Sequence, residues 1–61
     1  MQIVLRDGPK QGDVFEIEAE EGVFPVIMTN DHVYAYAEYM VIPGMSVLGE
    51  RFATFVRCVK R

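Results

Sequence analysis

The sequence predicts an all-β fold: a five-stranded antiparallel meander curled into a small, partly open barrel. Three observations carry this expectation. In residues 13–20, apolar Phe15, Ile17 and Ala19 alternate with Glu16, Glu18 and Glu20, the period-two signature of a strand with one buried and one wetted face. β-Branched and aromatic residues crowd the runs 23–29, 33–42 and 51–60. Turn-forming residues interrupt these runs at 7–12, 21–22, 30–32 and 43–49. A chain of 61 residues has room for one domain, spanning 1–61.

The first strand, Gln2 to Arg6, places Ile3 and Leu5 on one face and Gln2, Val4 and Arg6 on the other. The cluster Asp7-Gly8-Pro9-Lys10-Gln11-Gly12 then turns the chain, because glycine supplies positive φ and proline fixes φ near −65°. Asp13 to Glu20 is the second strand, expected to pair with the first as a hairpin that packs Ile3 and Leu5 beside Phe15 and Ile17. Val23 to Thr29 is apolar and β-branched but holds Pro25, which removes a ladder donor and points to an edge strand or a bend near its start. Val33 to Ile42 ends at Pro43-Gly44, and Arg51 to Lys60 is the last element.

Two segments also fit an α+β alternative, a four-stranded sheet with a C-terminal helix. Phe52, Phe55, Val56 and Val59 have helical spacing, and the basic C-terminus suits the end of a helix. Val33 to Val41 could likewise be capped by Asn30 or Asp31 and stopped by Pro43. The richness in Phe, Thr and Val favours strands at both places.

Composition narrows the function. With 51% apolar and 25% charged residues, the chain is not a disordered tail. A net charge of −3 disfavours non-specific duplex binding. Cys58 is the only cysteine, which excludes an intrachain disulfide and any Cys-rich zinc site. No apolar run approaches the roughly 20 residues of a membrane helix, and the N-terminus lacks a secretory pattern.

The candidate chemical residues are isolated. His32 beside Asp31 reads as a turn, Cys58 as a small buried hydrophobe, and Ser46 lacks a nucleophile-elbow context. Gly8 to Gly12 is too short for a phosphate loop and precedes a strand, not a helix. The expectation is a protein without enzymatic activity, cofactor or metal.

A carboxylate row and an apolar excess point to binding instead, and a charge asymmetry stands beside them. Residues two apart on a strand lie about 6.5–7 Å apart, so Glu16, Glu18 and Glu20 would form a row of charge that reads first as a solvated face blocking edge pairing and second as a match for a basic surface. Residues 1–50 hold all nine acids against Arg6 and Lys10, net −7, whereas Arg51, Arg57, Lys60 and Arg61 give the remainder +4; cross-strand pairing within the domain accounts for this asymmetry. Most tellingly, a domain this small buries only about 60% of the surface of its unfolded chain. Val4, Val14, Val23, Phe24, Tyr34, Tyr36, Met40, Met45 and Leu48 cannot all be inside, and Tyr, Phe and Met are favoured at interfaces.

The run Leu5-Arg6-Asp7-Gly8-Pro9-Lys10-Gln11-Gly12 and the alternating strand after it resemble the opening of a group of short bacteriophage and prophage proteins, chiefly of the actinophage type. Those open with a strand, Gly-Gly-Pro, two residues, Gly, and a strand of Val and Glu. Tyr36 and Tyr39, the loop 44–50 and Phe52 to Phe55 loosely match their tyrosine strand, polar loop and final aromatic strand. The sequence departs at Asp7, where the group has its first Gly, at Gln11, where Asp is common, and in its more apolar loop. The resemblance carries no catalytic residue. It implies a phage or prophage origin, with the product acting in the host bacterial cytoplasm or in the virion.

The combined expectation is a non-enzymatic phage-encoded module that binds a host protein of the defence or transcription machinery and inhibits or modulates it by steric occlusion. Its expected contact residues are Glu16, Glu18 and Glu20 for steering, with Tyr34, Tyr36, Met40, Met45 and Leu48 as anchors. Homo-oligomers are expected as well, and neither nucleic acid nor membrane is an expected partner. The alternatives are a virion structural or capsid-decorating subunit, and a small barrel binding nucleic acid through Arg51, Arg57, Lys60 and Arg61.

Overall fold

The apolar runs are strands, and no described residue is helical. A computed structural model describes residues 1–18 and 21–61. Its strands are β1 (Gln2–Leu5), β2 (Val14–Glu16), β3 (Val23–Ile27), β4 (Tyr34–Val41) and β5 (Phe52–Lys60). They form one sheet in the order β2-β1-β5-β4-β3, curled into a half-barrel whose open edges are β2 and β3.

The simple meander needs correcting. β1 and β2 make the expected hairpin, and β3, β4 and β5 run antiparallel in sequence, but β5 then lies parallel to β1. The sheet is therefore mixed. Strand length and side-chain chemistry explain the order. β5, with nine residues, is the longest strand and pairs along both edges at the centre, whereas β2 is short and charged and β3 carries Pro25, so both suit an edge.

The helical spacing of Phe52, Phe55, Val56 and Val59 does not mark a buried stripe, because this segment is strand β5 and contains a bulge. Tyr39 pairs with Phe55 and Glu38 with Arg57, leaving Val56 as an extra residue. Ala53, Phe55 and Cys58 consequently face inward at a spacing of two and then three, which breaks the two-residue period. The second strand is also shorter than expected. Pairing runs out at Ile17, whose N–H donates to the Met1 carbonyl at 2.9 Å, and β2 itself ends at Glu16.

The core comprises Ile3, Leu5, Val26, Ala37, Tyr39, Val41 and Ala53, with Phe15, Ile17, Phe24, Met28, Phe55 and Cys58 packed against it. Tyr39 is its centre. Its ring stacks on Phe24 with centroids 6.3 Å apart and meets Phe55 edge-on at 5.7 Å. Its hydroxyl donates to the Asp7 carbonyl at 2.9 Å and accepts from the Lys10 N–H at 3.0 Å. The Asp7 carboxylate accepts from the Phe55 N–H at 2.7 Å and from the Thr54 hydroxyl at 3.0 Å. The turn after β1 is thus fastened to β4 and β5, two strands remote from it in sequence.

Candidate binding surface

β3 presents its outer edge unpaired, and its hydrogen bonds show which groups are free. Val41 N–H donates to the Gly22 carbonyl and Met28 N–H to the Ala35 carbonyl, so the even-numbered residues of β3 face β4. Val23, Pro25 and Ile27 therefore turn their backbone polar groups toward the open edge. Pro25, which has no N–H, occupies a position where none is needed for the sheet.

The same three residues point their side chains to the outer face of the half-barrel. Beside them, across the β3–β4 register, stand Met40, Glu38 and Tyr36. Val23, Phe24, Pro25, Ile27, Tyr36 and Glu38 line an open cleft of about 410 Å³. Its walls are mainly apolar, with Glu38 and the Tyr36 hydroxyl as the polar side-chain groups among the lining residues. Glu38 at its side is paired with the Arg57 guanidinium, which reaches it from β5 through Nε. That carboxylate holds the Arg57 pKa above its ordinary value, by the hydrogen bond first and by charge second.

A second uncovered apolar feature is the β4–β5 connection. Ser46 N–H donates to the Glu50 carbonyl at 2.8 Å, Gly49 N–H to the Ser46 carbonyl at 2.9 Å, and Glu50 N–H to the Ser46 hydroxyl at 3.0 Å. These bonds close a tight turn with Val47 and Leu48 at its tip, 105% and 84% exposed. Met45 precedes it and is also exposed.

The expected anchors divide between these two features. Tyr36 lines the cleft, Met40 flanks it, and Met45 and Leu48 belong to the tip. Tyr34, half-buried, lies at the start of β4. Of the expected acidic row, Glu16 is exposed at the far edge, where it holds the N-terminal amine at 2.6 Å. Glu18 is exposed beyond the end of β2, and Glu20 lies outside the described residues. β1 and β5 stand between β2 and β4, which at about 4.8 Å per strand puts roughly 14 Å between Glu16 and the anchors. The structure does not bring Glu16 and the tyrosines into one patch.

Val23, Pro25 and Ile27 were missing from the expected contact residues, although the signal was present. A strand that is apolar on both faces yet contains proline must show one apolar face at an edge.

The residues with chemical potential are held by local structure. The Asp31 carboxylate accepts from the Val33 N–H at 2.8 Å and the Tyr34 N–H at 2.7 Å, closing the turn before β4 rather than orienting His32. These bonds, Tyr34's first, lower the Asp31 pKa, and the Arg61 charge adds to them. Cys58 is half-buried against the core. Arg61 donates to the Asp31 carbonyl at 2.7 Å and the Met28 carbonyl at 3.3 Å, so Arg61, like Arg57 on Glu38, is engaged inside the domain. Among the described residues, no group of three or more His, Cys, Asp or Glu side chains is placed to hold a metal ion. No helix there is long and apolar enough to cross a membrane.

Comparison with protein-family models, with curated proteins and with solved structures yields no match.

Proposed function

We propose that this chain is a protein-binding module that works by docking on another macromolecule and occluding it, not by making or breaking bonds. The observation that carries this reading is the uncovered apolar surface. Val23, Ile27 and Met40 at the cleft are 54%, 66% and 44% exposed, and Met45, Val47 and Leu48 at the tip are 65%, 105% and 84% exposed. Burying a side chain of this kind is worth about 1.5–3 kcal/mol. A small domain that leaves so many uncovered has a ready driving force for association.

Size is consistent with that role. The chain exposes 4300 Å², whereas a compact monomer of its mass exposes about 4,000 Å². A standard interface covers about 800 Å² per partner, so one docking event would cover close to a fifth of this surface. The phage-like opening of the sequence supports a bacterial host protein as the target, in keeping with a module that inhibits or modulates host machinery. The polar groups beside the cleft, Glu38 and Arg57, would set orientation, and the apolar walls would supply affinity.

The test is retention from bacterial lysate on the immobilised protein. The wild type is expected to hold one discrete protein, and Ile27→Glu, which puts a charge in the cleft at an exposed position, is expected to lose it. Retention that Ile27→Glu leaves unchanged, or no retention at all, would remove the reading.

A further inference from the structure

We propose that in the free protein the cleft between β3 and β4 is filled by the Val47–Leu48 tip of a second copy of this chain. The inference rests on reading the cleft as a docking site, and it names the occupant in the absence of any other partner.

The chain carries both halves of such a contact. The cleft is a concave apolar site of about 410 Å³ walled by Val23, Pro25, Ile27 and Tyr36. The tip is a convex apolar feature, two aliphatic side chains at the end of a closed turn. Neither is covered within one copy. The tip is also preformed: the bonds from Ser46 to Gly49 and Glu50 hold it, and Gly49 takes the left-handed conformation at φ 80° that closes it. A preformed element loses little conformational entropy on docking.

Charge sets the occupant apart from an arbitrary apolar segment. Glu50 stands exposed at the base of the tip, immediately after Gly49. Arg57 stands beside the cleft with its side chain 68% exposed, and it engages Glu38 through Nε. A guanidinium has five N–H donors in a planar fork, so the terminal nitrogens of Arg57 are available to a second carboxylate. Seating the tip brings Glu50 of one copy toward Arg57 of the next, so the charges match where the apolar parts match.

The tip and the cleft are different patches, so the contact is heterologous. Two joined copies still leave one tip and one cleft open, and growth continues unless the rotation closes a ring.

That geometry gives a complementation test by sedimentation velocity. The average mass of the wild type is expected to rise with concentration. Leu48→Glu destroys the tip and Ile27→Glu the cleft. Both positions are exposed, and circular dichroism checks that each variant is folded. Each variant alone is expected to stay monomeric. An equimolar mixture holds one good tip and one good cleft, and is expected to form a heterodimer and stop there. Glu50→Lys should weaken wild-type association roughly fivefold, the scale of an exposed ion pair. Mixing a Glu50→Lys, Ile27→Glu chain with an Arg57→Glu, Leu48→Glu chain should restore that loss in the heterodimer.

A wild type that is monomeric at all concentrations would overturn the proposal, as would association that survives Leu48→Glu or a folded mixture that does not pair. If the monomeric wild type still retains a lysate protein that Ile27→Glu loses, only the choice of occupant falls. If it retains nothing, the docking role of the cleft falls with it.

Discussion

The hydroxyl of Tyr39 lies 2.7 Å from the point where a β-carbon on Gly8 would sit. The same imagined carbon would stand 2.6 Å from the Phe55 β-carbon, and Gly8 has φ +78°. The turn after β1 therefore rests directly on Tyr39, at the centre of the core, and on Phe55, packed against it.

Gly8→Ala should consequently be among the most damaging single changes in the chain. Placing a side chain at positive φ costs about 1–2 kcal/mol, and overpacking against Phe55 and Tyr39 adds about 1–3 kcal/mol. Gly12→Ala separates the two effects, because Gly12 has φ +92° but nothing within 4 Å of its imagined β-carbon. Urea unfolding should show Gly8→Ala destabilised clearly more than Gly12→Ala. Equal losses would mean that the close approach to Tyr39 contributes nothing.

Tyr39→Phe keeps the ring and removes the hydroxyl. The Asp7 carbonyl and the Lys10 N–H, both only partly buried, then lose their partner, a cost of about 0.5–1.5 kcal/mol for each hydrogen bond. Burial raises the Tyr39 pKa above its ordinary 10.0. The fold requires the neutral phenol, so this contribution is complete below the unfolded value and is lost as pH rises through the folded one. Stability measured at increasingly alkaline pH should fall less steeply in Tyr39→Phe than in the wild type.

Much of this architecture was legible from residue patterns, and the parts that were not have physical reasons. Ile3 and Leu5 alternate cleanly, and they are the buried face of β1. Pro25 marked an edge, and β3 is one. Phe52 to Val59 was ambiguous because a bulge at Val56 breaks the two-residue period, and no local preference reveals a bulge set by the partner strand. Glu18 belongs by alternation to the second strand, yet pairing ends at Ile17. The parallel meeting of β1 with β5 depends on which strands pair along both edges, a property of the assembled sheet. In the candidate site, the excess of apolar residues announced that some would stay outside. Val14, Val23, Met40, Met45 and Leu48 do, whereas Val4, Phe24, Tyr34 and Tyr36 are half-buried. Which side chains share a cleft follows from the β3–β4 register.

Acid should unfold the domain through Asp7 and Asp31. The Phe55 N–H, then the Thr54 hydroxyl and Arg6, lower the Asp7 pKa, and the N–H groups of Tyr34 and Val33 lower that of Asp31, both from an ordinary 3.8. A depressed folded value means that the unfolded state binds protons first as pH falls. The stabilisation is present above about pH 4 and is lost as pH drops through the folded values. Asp7→Asn and Asp31→Asn should each flatten the dependence of stability on pH below that point. An unchanged acid limb in both variants would show that other carboxylates govern it.

Pro25 should act as a guard on the open edge. Its neighbours Val23 and Ile27 direct their backbone groups outward, and their side chains are apolar and exposed, the composition that invites strand-to-strand aggregation. Two β3 edges that met antiparallel about Pro25 would set the two prolines opposite each other and lose both central N–H bonds. Pro25→Val restores that donor, and valine favours a strand. The β4 ladder is untouched, because position 25 faces away from it. The variant should therefore keep the thermal stability of the wild type within about 1 kcal/mol, the span of β propensities. It should nevertheless form sheet-rich aggregates faster, followed by light scattering and by the amide band of strongly paired strands. Adding Ile27→Lys to Pro25→Val places a charge on the same edge and should reverse the gain. If Pro25→Val scatters no more than the wild type, the edge is protected by something other than the missing N–H.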